Sequence, residues 1–203
     1  MIRVDVQDKS FGSVRVLRDI RFDLPTDQTL ALVGPSGVGK STLLRLIAGI
    51  DTEFTGNIDR PDRIGIVFQE PTLLPWRSVL DNLRLVHPGL GRTACFAALD
   101  SVGLADKAGD FPGQLSLGQQ RRLSLARGFG GAPELLIMDE PFVSLDDKTA
   151  EDMLTLTELL IAEVQPTTIF VTHAMSEAKR LATRVISLAG HPATIQSDQQ
   201  KGD

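Results

Sequence analysis

An α/β fold built on a parallel sheet is what this sequence predicts, on three observations. An apolar run at residues 29–33 leads into the glycine-rich stretch Gly34-Pro35-Ser36-Gly37-Val38-Gly39, and that leads into a helical pattern from Lys40. Further apolar runs at 135–138, 167–171 and 184–188 alternate with segments of helical spacing, the rhythm that lays strands parallel with helices between them. The run Leu135-Leu136-Ile137-Met138 is apolar at every position, as in a strand covered on both faces.

The elements follow in order. Ile2, Val4 and Val6 alternate with polar residues, as do Ile20, Phe22 and Leu24, which predicts two half-exposed antiparallel strands with a turn region at Gly12. After the strand at 29–33, the helix over 40–48 carries Leu43, Leu44 and Ile47 on one face and stops at Gly49. A short strand is expected at 64–68. Residues 72–128 are poor in β-branched runs and read as largely helical, broken at Pro88-Gly89 and at Phe111-Pro112-Gly113. Within them, Ser116 with Gln119 three residues later makes a capping box, so a helix should run from there to about Arg127. Beyond the strand at 135–138 come a helix over 148–164 that stops before Pro166, a strand at 167–171, a helix at 175–182 and a strand at 184–188. The polar tail 197–203 is expected to fray. The helical block is then an insertion into the sheet-based core.

Composition narrows the function. The 203 residues suffice for one large domain with an inserted subdomain, and a 42% hydrophobic content supports a core. A net charge of −5 argues against a nucleic-acid-binding face built on bulk charge. Cys95 is the single cysteine, so no intrachain disulfide forms, a reducing compartment is expected, and the residue reads as packing in an alanine-rich helix. No apolar run approaches the ~18 residues of a membrane span, and no signal-peptide pattern is present at the N-terminus. The chain is expected to be soluble, with any membrane role supplied by a partner.

Gly34 through Thr42 fits the phosphate-binding P-loop, G-x-x-x-x-G-K-[ST]. Its glycines let consecutive N–H groups turn inward, and the start of the helix adds partial positive charge where an anion sits. Lys40 would reach the β- and γ-phosphates, and the Ser41 hydroxyl would face Mg²⁺. Asp139-Glu140 ends the apolar run at 135–138, at a strand's carboxyl end, where open α/β sheets bind their ligands. Asp139 is assigned to the metal and Glu140 to the general base. Gln69 closes the strand at 64–68 and His173 follows the strand at 167–171. An amide there can bridge metal and water, and a neutral imidazole can bond the γ-phosphate. His87 and His191 precede prolines and read as loop residues. The capped helix at Ser116 offers a hydroxyl and free N–H groups, a second anion-binding end in the same chain.

In this order the motifs resemble the ATP-binding-cassette family over nearly the whole chain. The stretch from Gly34 to Ser41 is similar to its P-loop, Gln69 to its Q-loop, and Leu115-Ser116-Leu117-Gly118-Gln119 to its signature, usually Leu-Ser-Gly-Gly-Gln. Asp139-Glu140 resembles the end of the Walker B strand, Ser144-Leu145-Asp146 the D-loop and His173 the switch histidine. Phe11 falls where the family places an aromatic residue that stacks on adenine. One departure is Leu117, which replaces the first signature glycine. Its bulk and its lost backbone freedom are expected to tune partner closure rather than abolish it.

The resemblance implies a P-loop NTPase fold with a RecA-like parallel-sheet core, an N-terminal antiparallel β-subdomain and an inserted α-helical subdomain. Residues 1–203 would form a single nucleotide-binding domain, with 1–71 and 129–203 as the ATP-binding core and 72–128 as the helical signature subdomain. It implies an ATPase that uses ATP and Mg²⁺. ATP would meet Phe11, Gly34, Pro35, Ser36, Gly37, Val38, Gly39, Lys40, Ser41, Thr42 and Gln69. The metal would meet Ser41, Gln69 and Asp139, with catalysis by Glu140, His173 and Lys40. Two cassettes, expected as a homodimer, would sandwich two ATP molecules, so that Ser116, Leu117, Gly118, Gln119 and Asp146 act in trans on the partner's nucleotide.

The partners implied are that second cassette, membrane permease subunits and, indirectly, a substrate-binding protein, with no nucleic acid. The place implied is the cytoplasmic face of the inner membrane, held there by the permease. The segment from Gln69 to Trp76 looks like the nitrate, sulfonate and taurine importer branch, and thiamine-precursor importers are similar there; the chain is short for that branch. Trp76, the single tryptophan, either docks the permease or is buried in the helical insert. The rival to a transporter ATPase is a non-transport or lipid-trafficking cassette acting as a mechanical regulator of a membrane partner. A DNA-repair or translation cassette, with its long coiled coil or doubled cassette, does not fit this length, and a small-molecule P-loop kinase would lack the signature helix.

Overall fold

The structure is a computed structural model that describes residues 1–201. In chain order its strands are β1 (Ile2–Phe11), β2 (Val14–Leu24), β3 (Thr29–Val33), β4 (Thr55–Asp59), β5 (Ile64–Val67), β6 (Leu135–Asp139), β7 (Thr167–Val171), β8 (Arg184–Ala189) and β9 (Thr194–Gln200). The helices are α1 (Lys40–Ala48), α2 (Val79–Val86), α3 (Arg92–Asp100), α4 (Leu117–Phe129), α5 (Asp147–Val164) and α6 (Met175–Leu181). The chain divides into two units, one of residues 1–62, 137–140 and from 166 onward, the other of residues 63–136 and 141–165.

The first unit holds two sheets. In one, β1 lies between β2 and β4, antiparallel to both. The alternating apolar residues set its register: Ile2 faces Leu24, Val4 faces Phe22 and Val6 faces Ile20, all six buried. Gly12 makes the turn at φ 59. In the other sheet β3 runs parallel to both β7 and β8, pairing Leu30 with Ile169 and with Arg184. Every residue of β3 and β7 is buried, which is why those runs carry no alternation. α1 stops where Gly49 enters the left-handed region at φ 71 and its N–H returns to the last turn.

Two strands of this unit have no apolar signal. β4 carries only Ile58 and is mostly exposed; it pairs through its backbone, at a site where Gly56 lies so close to Asp5 that a Cβ would fall 2.0 Å from the Asp5 carbonyl oxygen. The expected fraying of 197–203 does not hold for 197–200, which belong to β9. That strand pairs antiparallel with β8, and Asp198 is bonded to the Arg184 guanidinium at 2.7 Å. Polar side chains suit it because it is an edge strand exposed along most of its length. Gly202 and Asp203 lie outside the described residues.

The second unit is β5 with α2, α3, α4 and α5. α4 lies against β5 because both contacts are glycines. A Cβ on Gly65 would fall 2.0 Å from the Gly128 carbonyl oxygen, and one on Gly128 would meet Val67 at 2.7 Å. Caps fix the helix starts: Ser78 accepts from the Asp81 N–H for α2, and Asp146 accepts from the Thr149 N–H for α5. Cys95 is fully buried in α3, its thiol 3.6 Å from the Leu90 carbonyl, so it is packing. His87 is more than a loop residue: its Nε2 lies 2.7 Å from the Arg127 carbonyl oxygen, and its ring packs on Gly131.

Candidate functional site

The P-loop joins β3 to α1. Gly34, Gly37 and Gly39 take φ of 150, 75 and 113, a conformation that L side chains rarely adopt. Space forbids a side chain at two of them as well. A Cβ on Gly34 would fall 2.4 Å from the Leu188 carbonyl oxygen, and one on Gly39 would fall 2.8 Å from Leu17. Pro35, Ser36 and Gly37 are exposed at the crest of the loop. Below it, Lys40 is buried at 5% exposure and donates to the carbonyls of Gly34 at 2.8 Å and Pro35 at 2.9 Å. The ammonium is thus held inside the loop by two neutral acceptors.

Four further side chains of the same unit surround the loop. Ser41 Oγ donates to Asp139 Oδ1 at 2.9 Å, bringing the hydroxyl of α1 to the carboxyl end of β6. Burial pushes the Asp139 carboxyl above its ordinary range, and the neighbouring Glu140 adds to this, although the Ser41 bond, Arg45 and Lys40 oppose it. Glu140 sits at φ 45, and its N–H donates to the Val171 carbonyl at 3.1 Å. That bond ties the residue after β6 to the end of β7. Its Oε2 is 3.9 Å from His173 Nδ1, and the imidazole is 60% exposed. The turn carrying His173 is pinned by Thr172, whose hydroxyl accepts from the Ala174 N–H and bonds Glu177. Phe11, at the end of β1, is 53% exposed.

The signature residues and the D-loop lie in the second unit. The capping box is formed in full: Ser116 Oγ accepts from the Gln119 N–H at 3.2 Å, and Gln119 Oε1 accepts from the Ser116 N–H at 2.9 Å. Leu117 is the first residue of α4 and is 48% exposed. Gly118 abuts α5, where a Cβ would meet Thr149 at 3.1 Å. Ser116, Gly118, Gln119, Arg122 and Thr149 line an open cleft of about 330 Å³. Asp146 has both oxygens on Thr149, one to its N–H at 3.1 Å and one to its hydroxyl at 2.6 Å. Gln69 follows β5 and is exposed.

Sequence reasoning missed the residues that hold the segment after Gln69. Ser124 Oγ donates to the Pro71 carbonyl at 3.1 Å, and Arg127 Nη1 donates to the Thr72 carbonyl at 3.0 Å. Thr72 stands at φ 46, costly for a β-branched residue. It also missed Lys9, whose position two residues before Phe11 on one strand was the available signal.

Known proteins can be set beside this geometry. The family model described as ABC transporter matches residues 17–143. An aliphatic sulfonates import ATP-binding protein of Zymomonas mobilis is 46% identical over 89% of this chain and 78% of its own length. Proteins of the same name from Pseudomonas fluorescens and Streptomyces avermitilis are each 45% identical, covering 88% and 92% of this chain and 69% and 76% of their own lengths. A solved ATP-binding cassette, in a dimeric post-hydrolysis state bound to ADP and Pi, matches with a TM-score of 0.81 at 26% identity over 98% of both chains. The fold is the α/β fold of P-loop NTPases, and the chain belongs to the ABC transporter family as an ATPase domain.

Proposed function

We propose that this chain is the ATPase subunit of an importer for a small anion of the nitrate, sulfonate or taurine type. The observation that carries the ATPase site is the convergence of Lys40, Ser41, Asp139, Glu140 and His173 around one loop. The names of its relatives point to aliphatic sulfonates and to import rather than to a non-transport regulator. Residues 1–71 and 129–203 form the ATP-binding core in this reading, and 72–128 the helical signature subdomain.

Lys40 exchanges the Gly34 and Pro35 carbonyls for the β- and γ-phosphates, and the N–H groups from Ser36 to Thr42 cradle them. Phe11 stacks on the base. Ser41 and Asp139 converge with hard oxygen donors, the ligand type Mg²⁺ takes. When bound, the ion would neutralise charge on the transferring phosphoryl group. Glu140 accepts the proton of the attacking water, and His173 bonds the γ-phosphate. Ser116, Leu117, Gly118, Gln119 and Asp146 meet the nucleotide of a second, identical cassette. No helix among the described residues is long and apolar enough to cross a membrane. In this reading the chain works peripherally, on the cytoplasmic face of the membrane, through permease subunits fed by a substrate-binding protein.

Glu140→Gln tests the core of this reading. The amide keeps shape but cannot take the proton. The variant should lose about 10²–10⁴ in turnover, retain ATP and accumulate as an ATP-dependent dimer in size exclusion with light scattering. Turnover at the parent rate removes Glu140 as the base. A monomer at saturating ATP counts against the sandwich.

A further inference from the structure

Lys9 is 1% exposed, and no step above uses it. Burying an ammonium is costly unless it is paired and hydrogen-bonded. Here it is both. Nζ donates to Asp51 Oδ1 at 2.9 Å and to the Glu53 carbonyl at 2.7 Å, with Asp51 Oδ2 also at 2.7 Å. The Lys9 ammonium in turn holds the Asp51 carboxyl below its ordinary range. The same ammonium lies over the Phe11 ring, 4.5 Å from its centroid. The ring is therefore seated on a buried cation by one face while the residue stays 53% exposed. The bulge between Lys9 and Ser10 resets the register of β1 on β2 between the two members of this pair.

We propose that Lys9 is a positioning residue for the nucleotide base. Anchored by Asp51 and Glu53, it fixes the Phe11 ring and draws its π density toward the buried face. Two effects follow. An aromatic side chain at an exposed strand end no longer has to be ordered when the ligand arrives. The outward face also becomes less electron-rich, which weakens its repulsion with the π face of a stacked purine. The inference rests on the reading that Phe11 stacks on the base.

A ligand pair separates this role from a tie that merely holds β1 to the segment after α1. ATP carries a base and inorganic tripolyphosphate does not. Both are titrated calorimetrically, with Mg²⁺, into the full chain, into Phe11→Ala and into the double variant Lys9→Met/Asp51→Asn. The double variant removes both charges, so that no carboxylate is left without its cation. The expected result for it is an ATP Kd raised about fivefold and a tripolyphosphate Kd unchanged, with no effect of the double change on either Kd when it is made in Phe11→Ala. Equal loss for both ligands shows a structural tie and overturns the proposal, as does no loss for either. If Phe11→Ala weakens ATP binding and the double variant does not, the proposal alone fails. If Phe11→Ala leaves ATP binding untouched, the stacking reading fails and takes the proposal with it. Should the double variant melt below the assay temperature, Asp51→Asn alone, which loosens the anchor but keeps the cation, is judged by the same two Kd values.

Discussion

Burial sets the Asp139 carboxyl against its own ionisation. Its carboxyl is partly buried, accepts one bond from Ser41 and sits beside Glu140, and burial pushes its pKa above the ordinary 3.8. A carboxyl raised in the folded state disfavours the fold when ionised. The cost is absent below 3.8, grows as pH rises through the folded value and persists at neutral pH. Asn keeps the oxygen that accepts from Ser41 and removes the charge. Asp139→Asn should therefore raise the melting temperature of the nucleotide-free chain at pH 7 by about 2 °C, a gain that shrinks as pH is lowered toward 4. If Asp139 holds the cation as proposed, the same change should cut ATPase activity by about 10- to 100-fold. A lower melting temperature, or a difference that ignores pH, would show that the carboxylate is not held against its preference.

At the scale of the element, α4 begins with a full capping box, so Ser116 and Gln119 are locked before any partner arrives. Leu117 is the first residue of the helix and is 48% exposed. Exposure makes its replacement cheap: Leu117→Gly should cost no more than about 1 kcal/mol of stability. If the leucine impedes closure on a second cassette, the same variant tightens ATP-driven dimerisation or raises ATPase activity; a drop in both would show that the leucine packs on the partner. The cap was legible in the sequence because it is chemistry within four residues. The runs that became β3, β6 and β7 were legible because burial on both faces leaves no polar residue in their middle. β4 and β9 were not, because an exposed strand paired through its backbone needs no apolar pattern. The five residues around the P-loop were found by motif, but not their ties to one another, since Ser41 and Asp139 are 98 positions apart.

For the whole molecule, the open question is what couples ATP use to transport, and Trp76 bears on it. The sequence left its burial undecided because the answer depends on a residue outside the segment. Asn82 is 1% exposed. Its side chain accepts from the Leu74 N–H at 2.8 Å and donates to the carbonyls of Leu74 at 3.1 Å, Arg77 at 3.0 Å and Ser78 at 3.0 Å. These four bonds tie residues 74–78 into a fixed turn, and Trp76 stands at its crest with 69% of its surface exposed. A tryptophan carried outward on a fixed turn suits an interface anchor. Trp76→Ala should leave the melting temperature nearly unchanged, since the roughly 3–5 kcal/mol lost with a buried tryptophan does not apply. It should also leave basal ATPase and ATP binding in place. In the reconstituted membrane complex it should reduce permease-stimulated ATPase and transport. Asn82→Ala should lower stimulation as well, by releasing the turn, but with a stability loss that Trp76→Ala lacks. Full stimulation with Trp76 gone would defeat the docking role, and the permease contact would then have to lie elsewhere on this chain.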